Sequence, residues 1–188
     1  MGVSESQGEQ GVVLVTGASG YIGSHIVANL LSKGASVRAT VRDASDPDRV
    51  DHLMEMEIAE GGQLEIVEMD LLDSESVRKA VSGCMQVIHT AAVVVLNSRN
   101  PQKKIVDPSV IGTQNVLDAI DSTETVECLV HTSSTAAIRP QKWSDGQVLT
   151  TETWADDANI VDNPYGLAKY SAEMLVREWH DSKDSGPR

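Results

Sequence analysis

Basic residues are the scarce charge in this chain. Fifteen lysines and arginines stand against 28 aspartates and glutamates, a formal net charge of −13. A surface of that sign repels a polyphosphate backbone, so no nucleic-acid partner is expected. The acids are scattered rather than run together, the pattern of a solvated surface. Cysteine is nearly missing: Cys84 and Cys128 sit in different segments with no CxxC or other ligand spacing. That argues against a disulfide framework and against a metal site, and the pair reads as reduced thiols of a cytoplasmic protein. No apolar run approaches the roughly 18 residues of a membrane span, and residues 1–10 lack the apolar stretch of a signal peptide. No membrane partner is expected. Internal repeats and low-complexity tracts are absent as well. With 40% apolar and 23% charged residues, the 188 residues suffice for one globular domain with a full core.

What is present is organised around residues 12–23, VVLVTGASGYIG. Val12, Val13, Leu14 and Val15 make a short β-branched run of the kind that forms a buried parallel strand. Thr16 and Gly17 break it. Gly20 and Gly23 follow at spacings of three, and Ile22, Ile26, Val27, Leu30 and Leu31 recur at helical spacing. Strand, glycine turn and helix together present backbone N–H groups and a helix N-terminus to a pyrophosphate. Gly17 allows the turn, Gly20 lets a phosphate approach, and Gly23 lets the helix lie close on the strand. Ser19, Tyr21 and Ile22 complete the expected dinucleotide loop. The spacing is GxxGxxG rather than GxGxxG, so the flanking strand and helix carry the assignment.

The rest of the chain alternates. Residues 36–41 read as a second strand. Asp46-Pro47 opens a helix with Val50, Leu53, Met54 and Ile58 on its apolar face, ended by Gly61-Gly62. Residues 64–69 read as a third strand. Ser74 caps a helix carrying Val77, Ala80 and Val81, which Gly83 stops. Residues 86–90 form a fourth strand, 103–120 a longer helix, and 126–132 a fifth strand. A polar loop spans 139–163, and a last helix 164–179 carries Tyr165, Ala168, Ala172, Leu175 and Val176. Strands alternating with helices predict an α/β, doubly wound parallel sheet of the Rossmann type, with helices on both faces. Ligands bind beyond the carboxyl ends of such strands, so Gly17, Arg42, Asp70, Thr90 and Ser134 are expected to cluster. The expected organisation is a tail over 1–10, a dinucleotide-binding domain over 11–180 and a polar tail over 181–188.

Three groups of residues carry chemistry. Arg42 lies 19 residues after Gly23, at the end of the second strand. An arginine there accommodates the 2′-phosphate of NADP, with Arg49 as a second cation; Asp43, next in line, is the competing acid for the 2′-hydroxyl of NAD. Tyr165 and Lys169, four apart on a helix, share one face. A phenol titrates at ~10 and is a poor acid or base at neutrality, but a nearby ammonium favours the phenolate. Such a pair can exchange a proton with a carbonyl or alcohol during hydride transfer. Ser133 and Ser134 close the fifth strand, where a hydroxyl orients a substrate carbonyl or only satisfies backbone groups.

These segments resemble the extended short-chain dehydrogenase/reductases of the NAD-dependent epimerase/dehydratase superfamily, nearest to the dihydroflavonol reductase and cinnamoyl-CoA reductase branch. The resemblance rests on VTGASGYIGSHIV, VRATVRD, MDLLD, VIHTAA, DPSVIGTQNVLDA, HTSS and YGLAKYSAE, and covers residues 11–179. It implies an NADP-dependent oxidoreductase that reduces a ketone or aldehyde. It implies a catalytic triad of Ser134, Tyr165 and Lys169, with Lys169 also on the nicotinamide ribose. It places Arg42 and Arg49 on the 2′-phosphate, Asp70 and Leu71 along the adenine, and Thr90, Ala91 and Ala92 along the ribose and phosphates. Superfamily epimerases that use NAD carry an acid at the position of Val41, so NADP is expected over NAD.

Two departures from the family pattern stand out. Ala92 replaces a threonine usual in the plant reductases. Family members also continue past the Tyr–Lys helix into another strand and a small substrate domain. Their absence from these 188 residues suggests a compromised enzyme, and an uncovered sheet edge suited to self-association or a partner. The alternatives are a non-catalytic NADP-binding fragment or interaction module, and an enzyme similar to 3β-hydroxysteroid dehydrogenases or sugar-nucleotide epimerases. Val93 to Leu96 and the 139–163 loop are expected on the substrate side.

Overall fold

Strands this short and this rich in valine and isoleucine are stable only when covered on both faces. In the computed structural model, which describes residues 11–92 and 98–183, five of them align as one parallel sheet. They are β1 (Val12–Thr16), β2 (Ser36–Val41), β3 (Gln63–Glu68), β4 (Cys84–His89) and β5 (Cys128–His131). Their order is β3-β2-β1-β4-β5. The winding therefore reverses at β1, and a crevice opens there beyond the carboxyl ends of β1 and β4. The helices are α1 (Tyr21–Leu31), α2 (Pro47–Met54), α3 (Ser74–Val81), α4 (Asp107–Asp121), α5 (Thr135–Ile138) and α6 (Pro164–Asp181).

The period-2 alternation of each strand builds a core on each face. Val15, Val37, Ala39 and Val41 pack with Val27 and Leu31 of α1 and with Val50 and Leu53 of α2. Leu14 and Val87 point the other way, against Val77 and Val81 of α3 and Val116 and Ile120 of α4. A third cluster docks α6: Ile105 and Val106 pack on Ala168, with Tyr165 and Leu167 at its margin. The far end of α6 is held through one carboxylate of α4. Asp121 accepts from Trp179 Nε1 at 3.0 Å and from Lys183 Nζ at 2.6 Å.

The glycine loop meets two steric demands. Gly17 has φ +67°, and a Cβ there would lie 2.9 Å from the Ala91 Cα. A Cβ on Gly23 would lie 2.3 Å from the Gly17 carbonyl oxygen, so the first turn of α1 seats directly on the loop. Gly20 is different: its nearest neighbour to a Cβ is that same oxygen at 3.3 Å, and its φ of −82° suits any residue. Packing alone does not demand glycine at position 20.

Several boundaries depart from the sequence expectation. α2 ends at Met54 rather than running to Gly61, leaving Met54 62% and Ile58 45% exposed. Asp73, not Ser74, caps α3: its carboxylate accepts from Glu75 N at 3.0 Å and from Ser76 N at 3.4 Å. A carboxylate next to the helix N-terminus also gains from the dipole. The long fourth helical segment begins with a π-helical turn, Gln102–Val106, and the loop after β5 opens with α5. β4 and β5 stop at the two histidines, one residue short of the expected ends. Residues 1–10 and Val93 to Leu96 lie outside the described residues. Among the described residues β5 forms one edge of the sheet, and its Val130 is half exposed.

The two glycines differ in what substitution costs. Gly23→Ala is expected to cost about 1–3 kcal/mol in chemical denaturation, the usual penalty of overpacking against rigid backbone. Gly20→Ala should cost clearly less in the same measurement. Equal losses would mean that the contact with the Gly17 oxygen is not what excludes a side chain.

Candidate functional site

The carboxyl ends of β1, β4 and β5 carry a row of polar residues in register: Thr16 beside His89, and His89 beside His131. Such side chains interrupt otherwise apolar strands, so each must find a partner. Thr16, fully buried, uses its hydroxyl completely. Thr90 N and Ala91 N each donate to Thr16 Oγ1 at 3.0 Å, and His89 Nδ1 lies 2.8 Å from the same oxygen. Two N–H donors fill both lone pairs of a hydroxyl, which leaves its proton for His89 Nδ1. The Thr90 hydroxyl donates to the Thr16 carbonyl. Thr40, at the end of β2, accepts from Gly17 N through its hydroxyl at 3.2 Å and from Ala18 N through its carbonyl at 3.0 Å. Gly17, Thr90 and Ala91 are thus fixed together from three strands, with Ala92 exposed at the rim.

The loop hands over to α1 at Gly20, whose N-terminus carries no side-chain cap. Tyr21 and Ile22 are exposed there. The uncapped first turn leaves backbone N–H groups to an anion. Ser19 lies between Gly17 and this turn.

At the end of β2, Arg42 is exposed and forms no ion pair among the described residues. Asp43 is turned onto Ser45, accepting from its hydroxyl at 2.7 Å and its N–H at 2.9 Å, and these bonds hold its carboxyl below the usual range. Arg49 is paired through Nε with Asp46, the cap of α2, at 2.9 Å. Beyond β3, Asp70 closes its own turn by accepting from Leu72 N at 2.9 Å. Leu71 is clamped on α4: its carbonyl accepts from Asn115 Nδ2 at 2.7 Å, and Gly112 leaves room for its side chain.

The other side of the crevice is built by α5 and α6. Asn163 caps α6 by accepting from Gly166 N at 2.9 Å, with Pro164 in the first turn. Tyr165 and Lys169 follow one turn apart. Lys169 is 7% exposed, and its Nζ donates to the Thr132 carbonyl, just past β5, at 3.0 Å. Burial pushes its ammonium down from the usual lysine value, against the pull of Glu173 one turn on. Ser134 Oγ accepts from Ala136 N at 3.1 Å and so caps α5; Ser133 is exposed. A cleft of about 380 Å³ adjoins this corner, lined by residues of α5, by Arg139, Pro140 and Gln141 of the loop, and by Asp162 and Asn163. The 139–163 loop thus reaches the cleft from the Ser134 side.

The two histidines were not anticipated from sequence, nor were Thr16 and Thr40. Their common signal is a polar residue ending an apolar strand. His89 is fully buried, and burial, then the neighbouring His131 and Lys169, push its pKa down to about 3. The rings of His89 and His131 lie 5.4 Å apart. Both nitrogens of His131 are buried without a hydrogen-bond partner among the described residues, and burial and then Lys169 push its pKa down to about 4, opposed by Glu173. Among the described residues no helix is long and apolar enough to cross a membrane.

Comparison with known proteins places the chain in a family. Residues 14–186 match the model of the 3-beta hydroxysteroid dehydrogenase/isomerase family. Cinnamoyl-CoA reductase 1 of Petunia hybrida is 38% identical over 178 residues, 93% of this chain and 51% of that protein. A bifunctional dihydroflavonol 4-reductase/flavanone 4-reductase of Pyrus communis is 37% identical, over 92% of this chain and 50% of its own. The crystal structure of Gre2 from Candida albicans in complex with NADPH superposes with a TM-score of 0.75 at 30% identity, covering 93% of this chain and 54% of that one. The chain spans about half the length of the curated relatives it matches. The resemblance and the Rossmann-type fold expected from sequence are both borne out.

The buried histidines make folding sensitive to acid. In the unfolded chain each ring takes up a proton below about 6.5; in the folded chain both stay neutral down to far lower pH. Their contribution to stability is complete above that value and lost as pH falls towards 4 and then 3, by up to about 1.4 kcal/mol per pH unit for each ring. Denaturation midpoints should therefore drop between pH 7 and pH 5. His131→Leu removes one ring and its unpartnered nitrogens, so it should flatten that slope and raise the midpoint at pH 5. A slope unchanged by the substitution would show that His131 is not titrating with unfolding.

Proposed function

The chain belongs to the 3-beta hydroxysteroid dehydrogenase/isomerase family, and on that premise we propose that it binds NADP and serves the reduction of a small ketone or aldehyde by hydride transfer. The observation that carries this reading is Lys169, a buried ammonium held on a carbonyl just past β5, one helical turn from Tyr165 and on the crevice side of the sheet. A lysine is rarely buried without a carboxylate partner, and perturbed buried cations in a crevice are candidates for catalysis.

The chain's residues fit a dinucleotide phosphate. Gly17, Ser19, Gly20, Tyr21, Ile22 and Gly23 form the loop and the uncapped turn that would receive the pyrophosphate. Arg42, exposed and unpaired among the described residues, suits a 2′-phosphate, with Arg49 in its pair with Asp46 as the second cation. Asp43, the acid that would favour a 2′-hydroxyl, is occupied by Ser45. That balance supports NADP over NAD. Asp70 and Leu71 would flank the adenine; Thr90, Ala91 and Ala92 would line the ribose and phosphates. When bound, NADPH supplies the hydride.

Tyr165 holds the proton given to the substrate oxygen. Lys169 favours the phenolate left behind and would also hold the nicotinamide ribose. Ser134 accepts the Ala136 N–H with a lone pair, so its own proton is available to the substrate carbonyl. Cap and catalytic donor are compatible roles for one hydroxyl. The named activities of the relatives make aromatic ketones and aldehydes the first substrates to screen.

Calorimetric titration should give tight binding of NADPH and weak binding of NADH. Arg42→Ala should weaken NADPH by about 10- to 100-fold, the worth of a charge-assisted phosphate contact, and leave NADH unchanged. Equal or tighter binding of NADH by the unaltered chain would sink the cofactor assignment. Tyr165→Phe should lower turnover by about 10²-fold or more while sparing NADPH affinity. Undiminished turnover in that variant would remove Tyr165 from the chemistry, and NADPH binding without turnover of any carbonyl by the unaltered chain would favour a binding module.

A further inference from the structure

We propose that His89 is a positioning residue that ties the glycine loop to Lys169, and so sets the separation between the dinucleotide site and the proton-delivering pair; the proposal rests on the reading of that site given above. His89 works in two directions. Its side chain reaches β1, where Nδ1 takes the hydroxyl proton of Thr16 at 2.8 Å. Its backbone carbonyl reaches the end of β5, accepting from Thr132 N at 3.0 Å, and the Thr132 carbonyl in turn holds Lys169 Nζ at 3.0 Å. Four residues, on β1, on β4, just past β5 and on α6, are therefore joined by three successive hydrogen bonds.

The side-chain bond has a defined polarity. Thr90 N and Ala91 N already donate to the Thr16 oxygen, so the hydroxyl proton has one destination, and His89 must present a bare Nδ1. The ring is consequently neutral, with its proton on Nε2. A ring carrying a proton on Nδ1 would set two donors against each other and release Thr16. Without that anchor, the amides of Thr90 and Ala91 lose their acceptor, and Ala91 is the residue packed against Gly17. Disturbance at His89 is thus transmitted to the loop that would receive the pyrophosphate. The surroundings keep the ring neutral: it is fully buried, with His131 beside it on β5 and the ammonium of Lys169 approaching from α6.

The test separates an acceptor at Nδ1 from mere bulk. Asparagine places Oδ1 where the imidazole has Nδ1, whereas leucine fills the space without an acceptor. NADPH affinity measured by calorimetry should fall by about fivefold or more in His89→Leu, the worth of one buried hydrogen bond, and recover at least in part in His89→Asn. Thr16→Val should lose at least as much as His89→Leu, because it also strips the Thr90 and Ala91 amides of their acceptor, and the double variant should lose no more than Thr16→Val alone. A smaller loss in His89→Leu, an Asn variant as weak as the Leu variant, or additive losses would overturn the proposal. Nitrogen-15 NMR of the unaltered chain decides the case independently should the Leu variant not fold. The proposal requires a protonated Nε2 and a bare Nδ1 between pH 5 and pH 8; a proton on Nδ1 there overturns it. If the unaltered chain binds no NADPH, the dinucleotide reading fails, while the NMR result still decides whether His89 is held by Thr16 in this way.

Discussion

One hydroxyl group, on Thr16, holds the functional end of the sheet together. It has one proton and two lone pairs, and all three are engaged: by Thr90 N, by Ala91 N and by His89 Nδ1. In the interior an unmade hydrogen bond costs more than a made one contributes, so a fully used group constrains all of its partners at once. The segment after β4 is pulled over the end of β1, Ala91 packs on Gly17, and the glycine loop has one place to go. Gly17 accepts the left-handed turn this requires, and Gly23 lets α1 sit on the result. The loop is shaped from beneath by strand ends rather than by its own glycines alone.

The same corner accumulates charge-sensitive groups that the apolar core does not need. His89 and His131 are buried neutral, and Lys169 is buried with only a carbonyl as its hydrogen-bond partner. A core optimised for stability would replace these groups with hydrocarbon. Their concentration at the carboxyl ends of β4 and β5 sets this corner apart from the apolar core beneath it.

Much of the fold was legible because it is local. Helix and strand periods, Gly17 and Gly23 in the turn, Pro47 and Pro164 at helix starts and the four-residue step from Tyr165 to Lys169 are all read within a few residues. The misreadings are local competitions settled by packing. Met54 and Ile58 continue an apolar pattern, but α2 stops once Val50 and Leu53 have met α1 and β2. Asp73 outcompetes Ser74 as a cap because its carboxylate reaches two amides of the next turn.

By itself the sequence determined the class of fold, the glycine turn between β1 and α1, the arginine at the end of β2 and the one-turn spacing of Tyr165 and Lys169, since each is carried by a short-range pattern. Only the tertiary structure decided how these parts are joined. Thr16 and His89 are separated by 73 positions, and Lys169 and Thr132 by 37. Nothing in the local spacing of a threonine and a histidine says that they meet, because strand order and register bring them together. The partners of Asp43 and Arg49 are decided the same way: both stand where a ribose or phosphate contact is expected, and the fold brings Ser45 to one and Asp46 to the other. Hydrogen-bond capacity is finite, and which partner claims it depends on three-dimensional proximity that a linear pattern does not contain.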